Sequence, residues 1–277
     1  MSVDVRAVAI RFADLWAVDP HQMVEEIYAD DIEMENMANP ARVIRGAAEL
    51  HAVEDRLAAL IPEHRHELIR VITHGSVACL ETTIVSPTTH EYAPACVWWW
   101  LDDSGKVAAE AGWFDWNDRS THPAPSHGTV PPNRHMGALR DQSWFGQMAA
   151  EYARLWSTDP DGAAMRMFAP GCTFGHVGRD EFSGLDNLAA SRRSELAEVP
   201  GRRMEVQSII GEGSALALLF TIGDATHVAR GTVVLTFDVD DLIVSERTYC
   251  DWDKAVPREP APTRPAVGSP WWTLRAS

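Results

Sequence analysis

The chain carries a second copy of itself. The segment ADLWAVDP (13–20) returns as ARLWSTDP (153–160), with Leu15/Leu155, Trp16/Trp156, Asp19/Asp159 and Pro20/Pro160 in register. The match runs on through IYADDIEMEN (27–36) and MFAPGCTFGH (167–176). After a short indel, Gly46, Leu50, Pro62 and Arg65 fall on Gly184, Leu188, Pro200 and Arg203, and Gly75, Ser76, Thr83 and Ile84 fall on Gly213, Ser214, Thr221 and Ile222. One more indel brings Glu110, Asp115 and Trp116 onto Glu246, Asp251 and Trp252. A repeat of about 110 residues is far longer than a solenoid unit, so each copy must own a core.

This places the copies at 1–118 and 141–255. The Pro- and Gly-rich stretch between them, residues 119–140, reads as a linker. A Pro-rich tail, 256–277, ends near Trp271 and Trp272, a pair expected either to anchor the tail on a domain surface or to belong to a loose end.

Within a copy, Val5, Val8, Ala9, Phe12, Leu15 and Trp16 follow the spacing of an amphipathic helix, and Phe145, Met148, Ala149, Tyr152, Leu155 and Trp156 repeat it. Asp-Pro at 19–20 and 159–160 is an N-cap with Pro at the first helical position, opening a second helix. A third helix is expected from Gly46 to Ile61 and from Gly184 to Val199. Strand-like runs follow: ELIRVI, VACLETTIV, CVWWWLD and VAAEAGWFDW in the first copy, and MEVQSII, ALALLFTIG, GTVVLTF and LIVSERTYCDW in the second. Helices first and a meander of strands afterwards predict an α+β domain whose antiparallel sheet curls over its helices.

Charge narrows the function. The 24 basic and 40 acidic residues give a net charge of −16, which repels phosphate backbones and anionic lipid, so neither nucleic acid nor membrane is expected as a partner. No apolar run reaches the length of a membrane span and the N-terminus does not read as a secretory signal, so the cytoplasm is the expected location. Cys79, Cys96, Cys172 and Cys250 are too scattered for a zinc knot or a disulfide scaffold. His64, His66, His122, His127 and His135 are placed in loops or linker with no metal-site spacing, and phosphate loops, nucleophile elbows and dinucleotide fingerprints are missing. No metal and no cofactor are expected.

The element order, with EIYADDIEMEN and GKVAAEAGWFDW, resembles the nuclear-transport-factor-2-like superfamily, which includes ketosteroid isomerase and the SnoaL-like polyketide cyclases. The resemblance implies two tandem cone-shaped α+β barrels. The tandem also resembles the two-domain epoxide hydrolases that build polyether rings. It implies a general base, an Asp in the isomerase, at the position eight residues past Tyr28 or Phe168, which here holds Asn36 or His176. An amide takes no proton near neutrality, whereas imidazole titrates close to it, so the second copy is the better candidate for acid/base chemistry. The isomerase's hydrogen-bond-donating Tyr matches Phe12 and Tyr152, and its second acid matches Val97 and Val233. Tyr152 is therefore either a donor to a substrate oxygen or an ordinary core tyrosine.

Alternation along the last strand puts Glu110 and Phe114 on one face and Glu246, Thr248 and Cys250 on its counterpart, a face that by resemblance lines the cavity. Glu246 either supports His176 or pairs with an arginine. His176, Tyr152 and Glu246 form the expected catalytic set, with Asn36, Glu81, Trp99, Glu110, Phe114, Phe174, Thr248 and Cys250 as substrate contacts. Trp98 and Trp100 are expected on the outer face, at an interface that is either a pairing of the two domains within one chain or a homodimer.

Three functions follow. The first is a cofactor-independent isomerase, cyclase or dehydratase acting on a mostly apolar polyketide, terpenoid or steroid. The second is epoxide opening by Glu81 and Glu110 facing each other across the first cavity. The third is non-catalytic small-molecule binding or assembly.

Overall fold

The computed structural model describes residues 3–39, 43–114, 140–176 and 181–258. They form two compact units, divided between residues 114 and 140. The first unit runs α1 (Val5–Trp16), α2 (Pro20–Ile27), β1 (Tyr28–Asn36), β2 (Val43–Arg45), α3 (Ala47–Leu60), β3 (Arg65–His74), β4 (Val77–Ser86), β5 (Glu91–Leu101) and β6 (Val107–Phe114). Its sheet has the order β2-β1-β6-β5-β4-β3. Every neighbour is antiparallel except β1 with β6, which are parallel because the whole meander separates them in the chain.

The second unit repeats this with α4 (Gln142–Thr158), α5 (Pro160–Met167), β7 (Phe168–His176), β8 (Phe182–Ser183), α6 (Leu185–Glu198), β9 (Arg203–Glu212), β10 (Ala215–Gly223), β11 (His227–Phe237) and β12 (Ile243–Tyr249). The order β8-β7-β12-β11-β10-β9 reproduces the first sheet strand for strand. Val256 and Pro257 at the head of the Pro-rich tail form β13 and pair with β11. The linker through residue 139, Asp115, His122, His127, His135, Trp271 and Trp272 lie outside the described residues.

The amphipathic stripe accounts for the helix packing. Val5, Ala9, Phe12, Leu15 and Trp16 are the buried residues of α1, and α4 buries Phe145, Ala149, Tyr152, Leu155 and Trp156 on the same spacing. Asp19 and Asp159 cap α2 and α5 by accepting the backbone N–H of Gln22 and Gly162, each at 2.9 Å, with Pro at the first helical position. Asp19→Ala is expected to cost about 1 kcal/mol in urea unfolding; unchanged stability would show that the cap contributes nothing. Gly46 and Gly184 precede α3 and α6 with φ of +79° and +86°, a region open to glycine and strained for other residues.

One local expectation is corrected. His66 lies within β3 rather than in a loop, and its ring packs on Phe12 and Trp16. Just past β12, Asp251 accepts the N–H of Asp253 and caps a short 3-10 turn (Trp252–Lys254). Among the described residues no helix is long and apolar enough to cross a membrane.

Candidate functional site in each domain

Strand pairing decides which polar groups are enclosed. In domain one Ala78, Trp99 and Glu110 lie side by side on one face, followed by Leu80, Val97 and Gly112. Ala78, Leu80, Val97 and Trp99 belong to the core that includes Phe12 and Trp16 of α1, so Glu110 is an acid inside that core. The Tyr28 hydroxyl donates to its Oε2 at 2.7 Å and the Trp99 indole N–H donates to the same oxygen at 2.9 Å.

A second acid arrives from α3. Leu50 and Glu54, one turn apart, are the buried residues of that helix, and the Trp16 indole N–H donates to Glu54. Burial pushes the Glu110 carboxyl up to about 7 against the opposing pull of Tyr28 and Trp99. Burial likewise pushes Glu54 up to about 7, with the charge of Glu110 adding to the rise. Burial and the adjoining Glu110 raise the Tyr28 hydroxyl well above 10.0, so it stays a donor. A carboxyl near 7 is divided between its acid and base forms at neutral pH, which is the condition for moving protons there. Around the pair stand Phe12, Trp99 and His66, with the Phe12 ring 5.0 Å from each of the other two. Burial pushes the His66 imidazole well below 6.5, so it is neutral at pH 7, and its Nδ1 meets the Thr82 hydroxyl at 2.7 Å.

Domain two keeps the strand acid and reverses the helix charge. The eighth residue of α3 is Glu54; the eighth of the equally long α6 is Arg192. The Arg192 guanidinium pairs with both Glu246 and Glu195, and lies 5.1 Å from the centroid of the Trp156 ring. Glu246 also accepts the Tyr152 hydroxyl at 2.8 Å and the Thr248 hydroxyl at 3.1 Å. Burial pushes Glu195 up, but Arg192, His176 and Arg202 outweigh it and hold that carboxyl well below 4.5. The result is an internal ion-pair network.

The tyrosine has also changed element. Tyr28 begins β1 and Phe12 sits on α1 in domain one, whereas Phe168 begins β7 and Tyr152 sits on α4 in domain two. Each arrangement delivers one phenol to the equivalent glutamate.

Asn36 and His176 share one structural task. The Asn36 amide donates to the Phe114 carbonyl at 3.0 Å, and His176 Nδ1 lies 3.1 Å from the Cys250 carbonyl, the equivalent group of the second copy. Asn36 Oδ1 accepts the Ala38 N–H at 2.9 Å, so both ends of its amide bind backbone. His176 turns its Nε2 toward Glu195 at 3.7 Å. Strand pairing sets His176 opposite Thr248 and Phe174 opposite Glu246. Phe174 is buried and stacks on Phe182 with centroids 5.8 Å apart. Burial pushes the Cys250 thiol up to about 12, and Phe114 is half-buried at the edge of the first core.

Glu81 is corrected. It pairs across the sheet with Cys96, whereas its neighbours Leu80 and Thr82 share the face of Glu110. A strand turns successive side chains to opposite faces, so Glu81 points away from Glu110 and meets Arg70 at 3.4 Å. Epoxide opening by a Glu81–Glu110 pair is thereby removed. Sequence reasoning missed Glu54, Tyr28, Arg192 and Glu195. The available signal was in the repeat: on the helix face marked by Leu50 and Leu188, one copy carries Glu54 and the other Arg192.

The profile of the SnoaL-like domain matches the chain twice, over residues 9–110 and 149–246. No curated protein matches. Solved structures similar to the chain include the epoxide hydrolase/cyclase-like enzyme SalBIII, with a role in pyran ring formation in the polyether salinomycin, at 18% identity over 43% of this chain and 100% of that one, with a TM-score of 0.38. Another is a SnoaL-like protein of unknown function from Burkholderia thailandensis E264, at 16% identity over 41% of this chain and 99% of that one, with a TM-score of 0.37.

Proposed function

The chain belongs to the SnoaL-like domain family, twice over, and from that premise we propose that it is an acid/base enzyme that moves a proton on a mostly apolar small molecule. The observation that carries this reading is the pair Glu54 and Glu110, buried in an aromatic core with both carboxyls near 7. Glu110 has two donors to stabilise its anion and Glu54 has one, so Glu110 carries the charge as base and Glu54 keeps the proton as acid. Isomerisation, ring closure and dehydration all need such a pair, one group to take a proton and one to return it.

A base in an apolar site can be tested without the natural substrate. With 5-nitrobenzisoxazole, the carboxylate takes the ring C–H proton as the N–O bond breaks and a cyanophenolate is released. The rate should rise with pH through about 7 and fall at least tenfold in Glu110→Gln. Turnover no faster than buffer, or insensitivity to Glu110→Gln, would remove the assignment.

A second reading places the proton transfer in domain two, with His176 as base, Tyr152 as donor and Glu246 as support. The carboxylate that His176 Nε2 approaches is Glu195, at 3.7 Å, whereas Glu246 is held by Arg192, Tyr152 and Thr248, so in this reading Glu195 takes the supporting place. Loss of activity in His176→Ala with full activity in Glu110→Gln is the result that would select it.

A further inference from the structure

The repeat sets side by side two versions of the surface between the second and third helices. In domain one His21, the second residue of α2, lies with its Nε2 2.8 Å from Asp55 Oδ1 of α3, and its ring stacks on that of His51 with centroids 4.5 Å apart. His51 stands three residues before Glu54 on α3, so the two side chains are neighbours on the helix surface. The His51 ring is half-buried, and its Nδ1 is closed off from solvent with no hydrogen-bond partner among the described residues. An enclosed ring nitrogen without a partner is costly, and its place beside a buried acid calls for a reason. Domain two replaces all three residues. Ala189 stands where domain one has His51, and the pair matching His21 and Asp55 is Asp161 and Arg193, a salt bridge without a histidine. The two histidines and Glu54 are thus present together in one copy and replaced together in the other, where Arg192 stands in place of Glu54.

We propose that His51 carries protons between the solvent at His21 and the carboxyl of Glu54. This rests on Glu54 and Glu110 being the reacting acids. An acid enclosed in an apolar core exchanges its proton with water only through a group that reaches both, and imidazole, with one nitrogen to give a proton and one to take it, is such a group. The Glu54 carboxylate takes the proton of the enclosed His51 Nδ1 while Nε2 takes one from water on the side of His21, which is about half exposed. A half-turn of the ring restores the first tautomer, and release of the Glu54 proton runs the same steps backwards. The hydrogen bond to Asp55 raises the His21 imidazole above its ordinary 6.5, with the charges of Asp19 and Glu25 adding to the rise, so a proton is kept at the rim. Burial pushes Glu54 up, and the charge of His21 is among the influences that draw it back, while Glu110 and Asp55 raise it. His51 touches no substrate in this scheme and acts through Glu54.

The test follows the C=O stretch of the protonated carboxyls by time-resolved infrared spectroscopy on the full chain, after a jump from about pH 6 to about pH 8 across the value of about 7 held by both acids. Glu54→Gln and Glu110→Gln assign the two signals. His51→Ala copies Ala189 of domain two and leaves room for a free imidazole. It should preserve the size of the Glu54 signal and slow its decay roughly tenfold or more, and imidazole added to the buffer should restore the rate. Should His51→Ala not fold, His51→Gln takes its place. Decay at the natural rate in the variant overturns the proposal. So does a slowing that imidazole leaves unrepaired, which would mean a structural change only. The Glu54–Glu110 assignment survives either result; it falls, and this proposal with it, if neither signal changes between the two pH values.

Discussion

Lowering the pH from 8 to 5 is expected to stabilise domain one, by on the order of 3 kcal/mol for each of Glu54 and Glu110 if they acted alone. The sign follows from where each carboxyl holds its proton. Its ordinary value is 4.5, and the folded protein raises it to about 7. Below 4.5 both states are protonated and the stability is fully present; as pH rises through 7 the folded state must ionise a carboxyl in an apolar core, and the stability is lost. Because part of the rise at Glu54 comes from Glu110, the two losses do not simply add. Glu195 in domain two has the opposite sign: its carboxyl is held below 4.5, so its contribution is present above that value and disappears as the pH falls further. One chain should therefore carry two domains with opposed acid responses. Hydrogen exchange of the β4–β6 amides against those of β10–β12 reads them separately, which two overlapping unfolding transitions would not. Glu110→Gln and Glu54→Gln should each flatten the profile of domain one. A domain one that becomes more stable from pH 5 to 8 contradicts the assignment.

Much of this architecture was readable before the fold. The stripe on the first helix, the Asp-Pro cap and the alternation in the last strand are local patterns, and each of them places residues where the structure has them, from Trp16 and Trp156 to Glu110 and Glu246. The partners of those glutamates were only partly readable: the resemblance grouped Tyr152 with Glu246 and an arginine was one of two partners expected for that acid, but Tyr28, Glu54 and the identity of Arg192 come from other elements. Tyr28 and Tyr152 reach equivalent acids from a strand and a helix, and no spacing rule links them. Glu81 failed for a simpler reason: in a strand buried nearly throughout, hydrophobicity marks no inner face, and only the cross-strand register distinguishes Glu81 from Leu80. The Asn36/His176 equivalence was correct as an alignment and both residues bind the same backbone position. That shared bond ties the end of the first strand to the end of the last.

Replacing Arg192 by Met should be the most damaging single change in domain two, with an expected loss of about 3–5 kcal/mol. Glu246 is fully buried, and Arg192 is the cation that balances it; Tyr152 and Thr248 give it hydrogen bonds but no charge. Glu195 suffers less, because Arg202 remains 3.0 Å from it. The methionine stem replaces much of the arginine's packing on Trp156, so what is lost is mainly charge compensation. Removing the stranded charge as well, in Arg192→Met with Glu246→Gln, should recover most of the loss, since an amide at 246 can still accept from Tyr152. Hydrogen exchange of the β7 and β12 amides measures both variants. A double variant no more stable than the single would mean that packing rather than charge is the cause. Arg192→Glu carries the logic across the repeat: it builds in domain two the acid pair that domain one has in Glu54 and Glu110, and the stability of domain two should then fall with rising pH as that of domain one does. A single position on the third helix would thus determine whether the site behaves as an ion pair or as a pair of acids.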